Sequence, residues 1–525
     1  MSSLLARPWD VGALRVHADE LQQRGDPLGE FIALSLRAES NVFEREVQRR
    51  LGELKALHEP EWSRGLPASS IRPEGTALVK LRRGVPAHLQ LHGHPARETV
   101  EALVAEHPIS QLHADPQGFD AVTLMPQVCA RMESLSFSST RLVASLGGVA
   151  LPHLRRFSAG SSHDLFAPLE LPVGCRLDTL EVKENGLRRV AVEALATDAR
   201  TEALTSLKLP IANAGPWLPP VLDRWPLRTL GLLFSRASTG EPLSRLATSR
   251  LRHTVSSLRL VESADGSASN LSGVEALLSV PWPELRELKL RLRVPIPASL
   301  ARDAAALTRL ESLSFDLSPV SVEAFEALAT RELPALRELH LGATRLTTAG
   351  LARLLTAPWV RQLEVLDLGR NVLPANAGGL LGAAAWPNLR ELSLGLSTLG
   401  AVGVDALLEG EFPALQHLQL DIPDGANDRL FARYAELPWL QLTSLMGHSN
   451  EHLVAVARAP HAARLRHLTM LNVSLDRPAL DALLTSDALQ GLVQLTVPDV
   501  RAPMLSALRE RYGARLVVRP TQYRL

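Results

Sequence analysis

Cysteine is almost missing: the 525 residues hold only Cys129 and Cys175. Two thiols build neither a disulfide framework nor, on their own, a four-ligand zinc site. Each lies just before a candidate strand and reads as a small core hydrophobe. Lysine is nearly as scarce, with five (Lys55, Lys80, Lys183, Lys208 and Lys289) against 51 arginines. Arginine is the better bidentate partner for carboxylates and phosphates, but a bias this broad reads as codon usage in a GC-rich genome. Net charge is missing too, 56 basic residues balancing 56 acidic ones. That argues against a nucleic-acid binder relying on overall phosphate neutralisation. No apolar run approaches the ~20 residues of a membrane-spanning helix. The opening MSSLLARPWDVGALRV has no basic stretch followed by an apolar one, so no Sec signal is expected and the expected compartment is the cytoplasm. There is no G-x-G-x-x-G after a strand, no G-x-x-x-x-G-K-[ST] and no H-E-x-x-H. Neither cofactor nor metal nor enzymatic activity is therefore expected.

What the chain does have is 46% hydrophobic residues, as a folded protein should, and a repeat. The frame L-x-x-L-x-L, with other apolar residues allowed at the Leu positions, starts at Ile109, Met132, Leu154, Leu177, Leu204, Leu227, Val255 and Leu285. It starts again at Leu310, Leu336, Leu363, Leu389, Leu415, Leu442, Leu465 and Leu492. These 16 frames recur every 22 to 30 residues, with a mean near 25.5. Residues at frame positions four and six point to one side of an extended segment, and the residue between them points to the other. A turn follows, then an apolar stretch at helical spacing such as GLARLLTAPW (350–359). Proline closes several periods, in WPEL (282–285), LPAL (333–336), WPNL (386–389) and FPAL (412–415). Proline lacks an N–H and disfavours helix at the residue before it, so it marks the helix-to-strand boundary. A strand and a helix per repeat follow.

At these residues the chain resembles the leucine-rich-repeat family, nearest its ribonuclease-inhibitor-like class. The full family frame L-x-x-L-x-L-x-x-N-x-L is met at 363–373 with Asn371, and at 177–187 with Asn185 and one Val. Elsewhere Thr140, Thr344, Ser318 or Ser397 stands at the Asn position. The resemblance implies an α/β solenoid, a horseshoe of about 16 strand–helix repeats. Its Asn side chains would bond backbone groups from turn to turn, in a ladder that Thr and Ser complete only partly.

Residues 1–66 carry no frame and read as three helices. The first runs over Val11–Gln22 with Leu14, Ala18 and Leu21 on one face, and stops at Arg24-Gly25. The second starts at Asp26-Pro27 and the third near Asn41, with Phe43, Val47, Leu51 and Leu54 sharing a face. RGDPLGEFI (24–32), with HEPEW (58–62) and LRRGV (81–85), resembles a short repeat-companion domain that precedes repeats in some bacterial proteins. Physically it is a cap for the exposed apolar end of a solenoid. The expected organisation is a helical capping domain (1–66), a transition (67–105), the solenoid (106–499) and a C-terminal cap (500–525) with RLVVRP as the last strand.

The remaining motifs read blandly. RGD at 24–26 is a helix stop, His92 and His94 with His88 nearby belong to a solvated turn, and the tryptophans before strands are repeat packing. Function is expected on the concave strand face, at frame positions two, three and five. Lys208, Arg259 and Lys289 form the expected basic cluster; Glu338, His340, Asp367 and Glu391 form an acidic one, with His417 and Gln419 beyond. Such a mixed face suits a protein or peptide partner, with no nucleic acid and no membrane. The expected function is a non-enzymatic interaction module or scaffold. The alternative is a GTPase-activating-type regulator using a turn-edge Asn371, Arg370 or Asn185. A catalytic residue there must point out of the turn, and a ladder residue points in.

Overall fold

The computed structural model describes residues 7–8, 10–40, 44–62, 66, 76–92, 95–115, 126–137, 149–159, 171–182, 187–212, 214–235, 240–262, 271–292, 295–296, 298, 307–395, 397, 399–420, 444–447, 450–470, 475–498, 500 and 502–519. Two compact units emerge. One comprises Met1–Arg236, Ser249–Thr254 and Ser263–Asp265; the other comprises Ala237–Thr248, Val255–Glu262 and Gly266–Leu525. Asn185, Thr140, Phe43, His94, Trp439 and the last six residues lie outside the described residues.

The first unit begins with helices α1 (Val11–Gln23), α2 (Pro27–Ser40) and α3 (Arg45–Trp62). Asp10 caps α1, accepting from the amides of Gly12 and Ala13. Gly25, at φ 72°, takes the left-handed turn that ends it. The Asp26 carboxylate then accepts from the Leu28 amide at 2.9 Å. Gly29 lets the two helices touch: a Cβ there would stand 2.6 Å from Ala18 O and Gln22 N. RGDPLGEFI is therefore explained residue by residue as a corner between two packed helices. Leu14, Ala18, Leu21 and Ile32 bury together against Val85 and Ala87, each large side chain contributing about 1.5–3 kcal/mol.

Val85 and Ala87 belong to the hairpin of β1 (Thr76–Arg82) and β2 (Val85–His92). From β2 onward every pairing in this unit is parallel, through β3 (Gln111–Ala114), β4 (Ser134–Phe137), β5 (Arg156–Ala159), β6 (Thr179–Val182), β7 (Ser206–Ala212) and β8 (Thr229–Ser235). The stack thus starts inside the stretch read as a transition. Helices α4 (Arg97–Glu106), α5 (Pro126–Cys129), α6 (Arg189–Thr197) and α7 (Leu218–Leu222) lie between strands. Among the described residues no helix stands between β4 and β6, where the bridge Ala150–Val173 links extended segments instead.

A partly buried ion network ties α2 to this sheet. Glu39 pairs with Arg82 at 3.0 Å and with Arg83, and Glu133 accepts from Arg156 at 2.8 Å. Arg82 and Arg83 each also approach Glu133 at 3.7 Å. Burial first, then the neighbouring Arg156 and Arg83 guanidiniums, push Arg82 down to about 10. Burial would raise the Glu39 carboxyl, but the hydrogen bond and charge of Arg83 outweigh it and hold it below the usual range.

The second unit is one parallel run of eleven strands: β9 (Ser257–Glu262), β10 (Glu287–Arg291), β11 (Ser312–Ser314), β12 (Glu338–His340), β13 (Val365–Asp367), β14 (Glu391–Ser393), β15 (His417–Gln419), β16 (Ser444–Gly447), β17 (His467–Met470), β18 (Gln494–Pro498) and β19 (Leu516–Arg519). Its helices include α8 (Gly240–Leu246), α9 (Leu271–Leu278), α10 (Val322–Ala329), α11 (Thr348–Leu354), α12 (Ala375–Ala383) and α13 (Gly400–Leu407). They continue with α14 (Asn450–Arg458), α15 (Arg477–Thr485) and α16 (Ala502–Tyr512). All 16 sequence frames become strands, β3 to β18, each beginning at frame position three. Positions four and six are buried, as at Leu339 and Leu341 or Leu366 and Leu368. The prolines behave as read: the Leu285, Leu336 and Leu415 amides bond back to Trp282, Leu333 and Phe412 carbonyls in turns before the strands. Trp225, Trp282, Trp359 and Trp386 are buried, and Cys129 and Cys175 are buried thiols outside any disulfide.

Candidate functional site

The open face of each sheet, carrying frame positions two, three and five, is set by strand register. In the first unit Lys208 on β7 stands between Glu181 on β6 and Gly231 on β8. A Cβ on Gly231 would stand 2.9 Å from Lys208 Cγ, so the lysine stem lies across the glycine. In the second unit Arg259 and Lys289 are register neighbours on β9 and β10. The expected basic trio therefore divides, with Lys208 in one unit and Arg259 and Lys289 in the other. Lys289 also gives its ammonium to Glu287, 2.7 Å away on its own strand. Burial would raise Glu287, but Lys289 and the Ser257 hydroxyl hold it low.

Frame position two follows a separate rule. Along β10 to β14 it reads Arg286, Glu311, Arg337, Glu364, Arg390. Arg286 meets Glu311 at 2.7 Å and Arg337 meets Glu364 at 3.9 Å. Opposite charges thus alternate from strand to strand, and four of the five residues close into two ion pairs.

Positions three and five have no such row of opposite charges between β11 and β14. His340 stands in register between Ser314 and Asp367, and its Nε2 is 3.9 Å from Glu338 Oε2. Glu391 stands between Val365 and His417, and Gln419 between Ser393 and Met446. The register brings Glu338, His340, Asp367 and Glu391 into one patch, as the sequence suggested. It adds Asp316, which sequence reading missed because it sits at position seven, just past the strand. Asp316 accepts from the Gly342 amide at 2.9 Å and from Ser314 Oγ at 3.0 Å.

Burial would lower the pKa of His340, but the Glu338 carboxylate and the fields of Asp316 and Asp367 outweigh it and hold it above the ordinary histidine value. Glu391 is pushed up by crowding between strands, then by Asp367 and Glu338, against the pull of His340. Its tip is open to water, which weakens the first of those causes. His417 is lowered by burial. Among the described residues no group of three or more His, Cys, Asp and Glu side chains is placed to hold a metal ion.

The turn residues answer the ladder question. Asn371 is 1% exposed; its amide donates to Leu341 O at 2.8 Å and Leu368 O at 2.9 Å, and its carbonyl accepts from Leu346 N at 3.0 Å. Ser318 accepts from Leu292 N and donates to Leu290 O, while Thr344 donates to Leu341 O. The ladder exists and is irregular, because a hydroxyl replaces fewer bonds than a carboxamide. Asn371 points in and is spent on structure, whereas Arg370 beside it is exposed. We expect Asn371→Ala to lower stability by about 2–3 kcal/mol, since it orphans buried backbone groups. Urea unfolding measures this, and a change under about 0.5 kcal/mol would contradict the ladder.

Among the described residues, no helix is long and apolar enough to cross a membrane. No protein-family model and no curated protein matches the chain. Several solved structures are similar to it at low identity. The yeast Rad7 and Elc1 complex is 17% identical, with TM-score 0.39, over 64% of this chain and 80% of that one. An internalin (inlF) of Listeria monocytogenes is 14% identical, with TM-score 0.32, over 64% and 94%. The ectodomain of the Arabidopsis thaliana receptor kinase GASSHO1/SCHENGEN3, in complex with CASPARIAN STRIP INTEGRITY FACTOR 2, is 14% identical, with TM-score 0.29, over 78% and 52%. On its own 16 in-phase strands and the inward Asn371, the chain has a leucine-rich-repeat fold.

Proposed function

We propose that this chain is a non-enzymatic binding module that holds a protein or peptide partner on its open strand face. The observation that carries the reading is the contrast between two rows of side chains in the second unit. The position-two row alternates its charges strand by strand and closes two ion pairs. Positions three, five and seven gather Asp316, Glu338, Asp367 and Glu391 around the single His340. Sheet stability gains nothing from gathering like charges, and Asp367 and Glu338 disfavour the charged form of Glu391. A patch kept at that cost fits a partner segment with basic groups, with His417 and Gln419 as its polar border. Arg259 and Lys289 on β9 and β10 offer the opposite charge to acidic groups of the same partner; Lys208, in the first unit, is tested separately.

Three variants of the full chain test this in capture from an extract of its source organism: Asp367→Lys with Glu391→Lys, Arg259→Glu with Lys289→Glu, and Lys208→Glu. We expect a partner held by the wild type to bind the acidic-patch variant at least tenfold more weakly, a difference of about 1.4 kcal/mol. A partner held equally by all three variants, or no specific partner at all, overturns the reading.

A further inference from the structure

Among the described residues, the patch on β11 to β14 contains the one open-face histidine that carboxylates approach from its own strand and from both sides. Its neighbours can be named strand by strand. From β11 come Ser314 and, just after it, Asp316; from β12 itself comes Glu338; from β13 comes Asp367. Glu391 on β14 feels His340, Asp367 and Glu338 together, and faces His417 on β15. Of the basic side chains on these strands, Arg337 pairs with Glu364 and Lys289 with Glu287, while Arg390 stands next to Glu391 in the chain. A histidine so placed is surrounded by groups that favour its charged form.

We propose that His340, with Asp316, Glu338, Asp367 and Glu391, forms a proton-operated charge switch on the open face of the second unit. With His340 neutral the patch carries the full charge of its four carboxylates. Protonating His340 cancels one of those charges, and protonating Glu391 at lower pH removes a second. Both groups are held above their ordinary values, so both bind protons more readily folded than unfolded. The sign follows. The contribution of His340 to stability is complete at mildly acid pH and fades as pH rises through its raised value. Because Glu391 is open to water, His340 carries most of the effect. The switch is a property of the free chain, so its failure would leave the binding face standing, and the failure of that face would leave the switch.

The test is an NMR titration of the full chain with ¹³C-labelled histidine, the His340 signal being assigned by its loss in His340→Gln. His340 is expected to titrate above an ordinary histidine and His417 below one. Glu338→Gln and Asp367→Asn are each expected to move His340 down and leave His107, in the first unit, where it was. His340 titrating at or below an ordinary histidine in the wild type overturns the proposal. So does a His340 unmoved by either substitution in variants whose melting shows them folded. Should neither variant fold, Asp316→Asn, just past the strand, reads the same downward shift.

Discussion

Gly378→Ala will disrupt the second unit by more than about 3 kcal/mol, while Gly379→Ala, one residue further on, will stabilise it by about 0.5–1 kcal/mol. Both glycines lie inside α12, where alanine is the better helix former. The difference lies in what each Cβ would meet. At Gly378 it would overlap the Gly403 carbonyl oxygen and stand 2.6 Å from the carbon and 2.9 Å from Cα of the same residue. Those are backbone atoms of α13, which cannot rotate aside as a side chain can. The same contact continues along the pair, since a Cβ on Gly382 would stand 2.6 Å from Ala406 O. At Gly379 the nearest atom is Ala406 Cβ at 3.9 Å, an ordinary van der Waals distance. Urea midpoints of the two variants, with amide exchange in α12 and α13 to place the change, decide it. Equal midpoints would mean that the two helices do not approach as closely as described here.

The second large effect is expected at Glu133. Its side chain is 13% exposed, it bonds Arg156 and it sits within 4 Å of Arg82 and Arg83, the latter 8% exposed. Removing one member of a partly buried ionic group leaves the others under-compensated, at about 2–3 kcal/mol, less than the figure for a fully buried pair because water still reaches Arg156 and Glu39. Glu133→Gln is therefore expected to cost that much, because Glu39 alone then faces three guanidiniums. Glu193→Gln, which breaks the exposed Arg189–Glu193 pair on α6, should cost no more than about 0.5 kcal/mol. Thermal melts of the two variants side by side give the comparison; similar losses would show that the Glu133 network is effectively solvated. The network also has an acid limit. The Glu39 carboxyl is held low in the folded chain, so its contribution is present at neutral pH and is lost as pH falls through that depressed value.

Much of this was legible in advance, for a physical reason. A period of two within a strand and a proline before it are local signals, and each of the 16 frames opened a strand in the phase that its Leu spacing demanded. The ends of α1 and the start of α2 were legible because Gly25 and the Asp26 cap act within four residues. What distance in sequence hides was not legible. Glu133, Arg82 and Glu39 come from three separate elements and meet only after the hairpin folds back. Lys208 reads as a companion of Arg259 by frame position, but the two fall in different compact units, a division that the frame does not mark. Asp316 was missed because the frame stops at position six, while its side chain reaches back to Ser314 and on to the Gly342 amide.

The alternation Arg286, Glu311, Arg337, Glu364, Arg390 constrains how such a chain can grow. Loss of a single repeat from this stretch would set arginine beside arginine or glutamate beside glutamate. Loss or duplication of two adjacent repeats keeps the sequence of signs intact. A pair of repeats, about twice the length of the leucine frame, is accordingly the smallest unit whose gain or loss leaves the charges of this row matched.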